Sequence, residues 1–317
     1  MKIAVLIMSS NAEPSLRNVQ AMKDTFIKYS NEAELKHEYD FYTYYREESD
    51  ELGKDEFIVD KDPDYPNYYI IRIGGVESVY RTYEKTYVAY QYLTEFDYDR
   101  FIRINTSTYI NLKLYDAVVE STDEDAIYTN ALNTYIDCNF KHLNGLYPRG
   151  DFYMTSKKVI EGILEHGEDL MYCDDLVKNR PDIVHVDDTL FGYAFIKYMG
   201  KGYYNHLYTI YYNFAPQQHL SPLLISGDMS ELAIATRLKT VPEGQVSGYS
   251  WDDNEYRKCE PEKMKMIHNY LITIDYRMIN DIKSLIVPDE YERPTLFIRP
   301  MNLRPHQIKQ ILKDNNL

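Results

Sequence analysis

The chain is short of cysteine, of positive charge and of long apolar runs, and each shortage closes off a class of protein. Its three cysteines, Cys138, Cys173 and Cys259, are scattered through 317 residues. An odd, dispersed set supports neither a disulfide framework nor a CxxC metal knuckle and fits a reducing compartment. The 35 Lys and Arg are outnumbered by 50 Asp and Glu, for a formal net charge of −15 and a pI near 5.0. Proteins that grip a phosphate backbone draw most of their affinity from clustered cations, so nucleic acid is not expected as a partner. The apolar run Ile3 to Met8 is too short for a signal-peptide core, and no stretch approaches the roughly 20 apolar residues that span a bilayer. A chain without a transmembrane segment, located in the cytoplasm, is expected. No GxGxxG follows the first strand, and no repeat of solenoid period is present. What is abundant is tyrosine, 33 residues, more than any one site could employ, so most must be packing residues.

Apolar patterning predicts strands over Lys2 to Met8, Tyr39 to Tyr45, Tyr68 to Ile73, Arg100 to Ile104 and Ala126 to Leu132. Helical spacing fills the intervals Pro14 to Tyr29, Glu77 to Phe96 and Asn111 to Glu120, with a charged loop from Arg46 to Asn67. This alternation predicts an α/β fold, a mainly parallel sheet with flanking helices. The second half is less regular. Asp151 to Thr155 and the aromatic-rich Gly202 to Tyr212 read as strands, and Lys157 to Glu165, Asp188 to Met199 and Lys263 to Leu285 as helical. Residues 213–250 are rich in Pro, Gly and Ser. We expect a catalytic domain over 1–215 and a smaller C-terminal portion over 216–317 packed on it.

In open α/β sheets ligands gather beyond the carboxyl ends of the strands. That rule selects Ser9, Ser10 and Asn11, then Tyr44 and Tyr45, then Gly74, Gly75 and Glu77, and finally Asn105, Thr106 and Ser107. The Asp-x-Asp triplets are placed differently. Asp97 and Asp99 precede their strand, Asp62 and Asp64 sit in a charged loop, and with Asp123 and Asp125 they read as solvated turns. The well-placed triplet, Asn105-Thr106-Ser107, offers hydrogen bonds but no charge to a hard cation. Among cations, Arg81 and Lys85 share a helical face. Arg103 stands beside the neutral triplet, and Arg257 and Lys258 lie near the C-terminus. For each, a surface ion pair is the alternative to anion binding. His185, His206 and His219 lack metal-ligand spacing, and Trp251 is a stacking or a packing residue.

Three ordered segments carry a resemblance. Phe101 to Asn111, with Arg103, Asn105, Ser107, Tyr109, Ile110 and Asn111 in matching places, resembles the strand-end segment of the β-1,3-galactosyltransferase and Fringe-like glycosyltransferases. Gly150-Asp151-Phe152-Tyr153-Met154-Thr155-Ser156 is similar to that family's Gly-x-x-Tyr-x-x-Ser segment, and Val186-Asp187-Asp188-Thr189-Leu190-Phe191-Gly192 to its Glu-Asp-Val-x-x-Gly motif. Viral and bacterial glycosyltransferases with an Arg-x-Asn-x-Ser version look closer still. The matches cover roughly residues 1–210. The departure is the neutralised acidic triplet.

The resemblance implies a GT-A fold and inverting transfer of a hexosyl or pentosyl group from a nucleotide-diphosphate sugar, a UDP-sugar, to a hydroxyl of a glycan or glycoprotein acceptor. Asp188 matches the general base, with Asp187 as the alternative base or as the helix N-cap. Ser9, Ser10, Asn11, Tyr44, Glu77, Arg81, Lys85, Arg103, Asn105 and Ser107 are the donor-side candidates, and Asp151 and Tyr153 line the sugar and acceptor pocket. The family's manganese or magnesium is left open, because the missing acidic pair favours action without a metal or weak metal binding through fewer ligands. A degenerate, non-catalytic binder of nucleotide or glycan is the alternative reading.

Overall fold

The computed structural model describes residues 1–78, 81–130, 132–136, 145–171, 186–210, 212–214, 232–238, 257–286 and 295–298. Cys138, Cys173, His185, His219, Trp251 and the expected boundary at residue 215 lie outside the described residues.

Strand β1 (Lys2–Met8) sets the layering. Its apolar residues are buried and alternate between two cores, Ile3, Val5 and Ile7 in one and Ala4, Leu6 and Met8 in the other. A strand buried on both faces requires cover on both. Along the chain follow β2 (Glu38–Glu47), β3 (Phe57–Lys61), β4 (Tyr68–Gly74), β5 (Arg100–Asn105), β6 (Thr108–Ile110), β7 (Ile127–Thr129), β8 (Leu132–Ile136) and β9 (Gly145–Pro148). After them come β10 (Phe152–Ser156), β11 (Leu207–Thr209), β12 (Tyr212–Phe214), β13 (Ala235–Arg237) and β14 (Thr295–Ile298). The main sheet has 8 strands in the order β11-β7-β10-β5-β1-β2-β4-β3. The pairs β1 with β2, β1 with β5, β2 with β4 and β7 with β11 are parallel, whereas β10 and β3 run against their neighbours. Two small sheets, β12-β13-β6 and β14-β8-β9, stand beside it.

The helices are α1 (Ser15–Met22), α2 (Lys28–Glu32), α3 (Thr82–Thr94), α4 (Leu112–Val118), α5 (Lys157–Gly167), α6 (Val186–Met199) and α7 (Glu260–Leu271). Helices α3, α5 and α6 bury Tyr83, Val88, Val159, Ile160, Leu190 and Phe191 on one face of the sheet. On the other, α1, α4 and α7 bury Val19, Met22, Leu112, Leu114, Met264, Ile267 and Leu271. Each fully buried Leu or Ile contributes about 1.5–3 kcal/mol of transfer free energy, so these two apolar layers hold the sheet between its helices. Local chemistry starts several helices. Asn111 and Ser156 accept from the backbone N–H of Leu114 and Val159 at the N-termini of α4 and α5, and Pro261 opens α7.

The alternation of strand and helix is the mixed α/β sheet expected, with differences of detail. The segment read as a charged loop contains β3, whose half-exposed Phe57 and charged Asp60 and Lys61 suit an edge strand guarded against further pairing. The stretch Ala126 to Leu132 splits, because the chain leaves the main sheet after β7 and enters another at β8. Lys263 to Leu285 is a shorter helix, α7, followed by turns and a 3-10 turn at Ile282–Leu285. Residues 257–286 share the core of α1 and α4 and are tied to them by Asn18 donating to Glu260, Asn111 Nδ2 to Tyr276 at 2.8 Å and Lys113 Nζ to the Ile272 carbonyl at 2.8 Å.

Candidate functional site

Parallel register brings the ends of several strands to one rim. Met8 lies opposite Tyr44 and Asn105, while β2 and β4 run on to pair Glu47 with Gly74. Strand β10 is antiparallel to β5, with Phe152 opposite Ile104, so it begins where β5 ends and delivers Asp151 to the same rim.

The neutral triplet forms the turn between β5 and β6. Asn105 Oδ1 accepts from the Ser107 backbone N–H and hydroxyl, both at 3.2 Å, and from Thr108 Oγ1 at 3.0 Å. Thr108 Oγ1 also lies 3.0 Å from the Asp151 carbonyl oxygen, which joins the turn to the start of β10. The Asp151 carboxylate, buried at 7% exposure, faces two guanidinium groups, Arg149 at 2.9 Å and Arg237 at 3.2 Å, and accepts from Asn130 Nδ2 at 3.3 Å. Arg237 is the cross-strand partner of Thr108 in β13, and the next residue, Leu238, donates its N–H to the Ser107 carbonyl at 2.8 Å. Sequence reasoning missed both arginines. Arg149 had a local signal in its nearness to Asp151, whereas Arg237 is brought in by a β13–β6 pairing across more than a hundred residues.

Asp187 and Asp188 stand in the first turn of α6, where aligned peptide dipoles favour negative charge. Asp187 is held by the guanidinium of Arg103 and approached by Thr82 Oγ1 at 3.4 Å. Arg103 projects from β5 into the protein interior with no exposure; its Nη2 also lies 3.0 Å from Met8 Sδ, and the group sits 6.0 Å from the centre of the Tyr153 ring. Asp188 receives the Gly150 backbone N–H. A side chain at Gly150 would collide with the Asp188 carboxylate and come within 2.8 Å of Arg103 Nη1, so the close approach requires glycine. Burial pushes the Asp188 carboxyl well above the usual carboxylate range. The charges of Asp187 and Asp151 add to the rise, while Arg103 and the Gly150 N–H oppose it.

A second network ties the ends of β1, β2 and β4 to α3. Lys85 Nζ donates to the Ser9 carbonyl at 2.8 Å and to Glu77 Oε1 at 2.6 Å, and Glu77 Oε2 accepts the Arg46 N–H at 2.8 Å. Arg46, not foreseen from the sequence, buries its guanidinium against the Gly74 carbonyl at 2.8 Å and Glu84 at 3.1 Å. Burial lowers the Lys85 pKa against the opposing pull of Glu77.

The structure thus gathers Ser9, Glu77, Lys85, Asn105, Ser107, Asp151, Asp187 and Asp188 along one rim, with Arg103 beneath it. Ser10, half-buried, donates to Ser15 Oγ at 3.0 Å, and Asn11 is exposed on the same turn. Tyr44 and Tyr153 are packed below the rim: Tyr44 Oη pairs with Thr86 Oγ1 at 3.1 Å, and Tyr153 Oη accepts from Tyr90 at 3.0 Å with its ring 4.5 Å from that of Phe191. Arg81 does not act with Lys85 despite sharing its helical face; it flanks the start of α3 and stands 3.9 Å from Glu84. Arg257 is turned to Glu260 at 2.9 Å beside α1, away from these residues, because Glu260 is wholly buried and needs a cation. Asp62 caps the N–H groups of Asp64 and Tyr65 as a turn residue would, but it is not solvated, because its largely buried carboxylate pairs with Lys23 at 2.5 Å; Asp99 accepts from the Lys2 N–H at the opposite end of β1.

Manganese, implied by the resemblance, does not suit these donors. Asn105 Oδ1 is taken up by three protein donors, and the neighbouring Asp151 already faces two cations. Among the described residues no group of three or more His, Cys, Asp or Glu side chains is arranged to hold a metal ion, and no helix is long and apolar enough to cross a membrane.

No protein-family model and no curated protein matches the sequence. Among solved structures the chain is similar to a glycosyltransferase involved in the glycosylation of the major capsid of PBCV-1, with a TM-score of 0.43 and 12% identity over 84% of this chain and 100% of that one.

Proposed function

We propose that the chain is an inverting glycosyltransferase that moves a sugar from a nucleotide-diphosphate donor, a UDP-sugar by its motif resemblance, to a hydroxyl of a glycan acceptor. The observation that carries this reading is the buried carboxyl of Asp188. It stands at the start of α6 beside Gly150 and Asp151, with a pKa raised by burial toward the range where a carboxylate is an effective general base. In the reaction, the acceptor hydroxyl gives its proton to Asp188 as its oxygen bonds to the anomeric carbon. The bond from that carbon to the diphosphate breaks, and the nucleoside diphosphate leaves with the electron pair. Asp187, neutralised by Arg103, anchors the start of α6, so that Asp188 is aimed by packing rather than by a mobile loop. Ser9, Ser10, Asn11, Glu77 and Lys85 make the nucleotide side of the rim, and Asp151 the sugar side.

The test is incubation of the purified chain with a panel of nucleotide sugars and glycan acceptors, read as nucleoside diphosphate released. Turnover by the wild type and its loss by about 10²–10⁴-fold in Asp188→Asn, with donor binding kept, is expected. A second reading, a non-catalytic binder of nucleotide or glycan, is favoured by the engagement of Asn105 in its own turn. It requires donor binding without turnover in the wild type.

A further inference from the structure

Arg103 is held by one edge of its guanidinium. Its Nη2 reaches Asp187 and lies 3.0 Å from Met8 Sδ, whereas Nη1 and Nε are buried with no hydrogen-bond partner among the described residues. The unengaged edge borders Asp188. A Cβ built on Gly150 would come within 2.8 Å of Nη1 and collide with Asp188 Oδ1, so donor and carboxylate flank the same missing side chain. Asp188 for its part receives the Gly150 N–H, while a carboxylate can accept about four hydrogen bonds. One guanidinium thus serves two consecutive carboxylates, and all three side chains are buried. Among the described residues, Asp151 also faces Asp188, from the turn before β10. Lys85 of α3 acts on Asp187 and Arg103, and Tyr44 of β2 and Tyr153 of β10 face Arg103.

Packing alone gives no reason for a cation here. Apolar residues of the same volume often match or exceed a buried ion pair in stability, so anchoring α6 to β5 would be served as well by a methionine. What an apolar anchor cannot supply is a positive charge beside Asp188. With Asp188 ionised, Arg103, Asp187 and Asp188 carry one net negative charge, and with Asp188 protonated they carry none. Proton uptake therefore neutralises a buried cluster, which favours the base step. The same burial, together with the charge of Asp187, works to keep that proton bound before the reaction starts, and Arg103 opposes it.

We propose that Arg103 is a positioning residue for the base: through its charge and its unengaged Nη1 it keeps Asp188 ionised at rest and turned to the Gly150 niche, so that the working proton acceptor is the Arg103–Asp187–Asp188 cluster rather than Asp188 alone. Asp187 acts in the opposite sense, since its like charge pushes Asp188 toward the protonated form. The proton given up by the acceptor hydroxyl moves to Asp188 as the glycosidic bond forms and the diphosphate leaves with its electron pair; Arg103 exchanges no atom. The inference rests on the glycosyl-transfer reading for the reaction that uses the proton, whereas the hold of Arg103 on Asp188 is measurable without turnover.

The test follows the Asp188 carboxyl by carbon NMR of the full chain labelled at aspartate, its resonance assigned by its loss in Asp188→Asn, with the acid limb of the transfer rate measured beside it. Arg103→Gln should move both titrations to higher pH by about one unit or more, which is about tenfold in proton affinity. Arg103→Lys should return them most of the way, and Asp187→Asn should move them to lower pH. A merely structural Arg103 would lower the rate equally at every pH and leave both titrations in place. That result, or shifts of the same sign in Arg103→Gln and Asp187→Asn, overturns the proposal. If Arg103→Gln loses its cooperative melt, the comparison is made in the Asp187→Asn background, where adding Arg103→Met strands no partner and should move Asp188 to higher pH by a similar amount. A titration that moves in a chain transferring no sugar keeps the hold of Arg103 on Asp188 and removes the transferase; transfer with a pH profile indifferent to Arg103 does the reverse.

Discussion

Arg103, inside the central strand β5, pairs with Asp187, 84 residues further along in the first turn of α6. Both groups are buried, and the pair fixes where α6 begins and hence where Asp188 stands. Removing one member of a buried pair strands the other charge away from water. Arg103→Met is therefore expected to cost about 3–5 kcal/mol in urea unfolding, and adding Asp187→Asn should recover a large part of the loss. Equal stability of the single and double variants would show that the pair does not behave as a unit.

Asp188 has opposite pH effects on stability and on rate. Its folded pKa is raised by burial and by Asp187, so its contribution to stability is fully present below about pH 3.9, the unfolded value, and is lost as pH rises through the folded value. Wild-type melting temperature should fall across that window and Asp188→Asn should lack the fall. The rate of transfer should climb across the same window, since the base acts only when deprotonated. Melting curves and initial rates at matched pH values check both limbs, and a wild type whose two profiles move in the same direction contradicts the assignment.

Gly150→Ala places a methyl group against the Asp188 carboxylate. The carboxylate must turn aside, and a displacement of about 1 Å at a reacting group can cost about a hundredfold in rate. Kinetics alongside circular dichroism should show that loss with the fold kept.

His268 of α7 is buried against Tyr109, whose hydroxyl is 3.2 Å from its Nδ1, and edge-on to Tyr29, and burial lowers its pKa to about 4. The unfolded chain binds a proton that the folded ring refuses, so stability is full above about pH 6.5 and declines as pH falls toward 4. The decline is at most about 3 kcal/mol, and His268→Gln should flatten it in urea unfolding measured across that range.

How much of this was legible in the sequence follows from the range of each interaction. The buried strand Ile3–Met8 was legible because apolar runs bounded by polar turns have few other uses, and the Asp-Asp pair because negative charge at a helix start has a local electrostatic cause. The turn at Asn105–Ser107 was legible as a strand end but its internal bonding was not, since Asn105 Oδ1 closes on Ser107 and Thr108. Strand β3 was hidden by its charges, which serve an edge and read as a loop. Arg46 and Arg237 carried no local signal. Their partners come from β4, α3, β6 and the residue before β10, and spacing along a chain does not encode such meetings.

The sequence by itself determined which segments would be strand or helix and which polar residues would fall at strand ends, because hydrophobic periodicity and capping act over a few residues. Tertiary structure alone decided which charges would meet. Desolvation makes every buried charge seek a partner. Arg103 met Asp187, Lys85 met Glu77 and Arg257 met Glu260, and Arg149 and Arg237 both came to face Asp151.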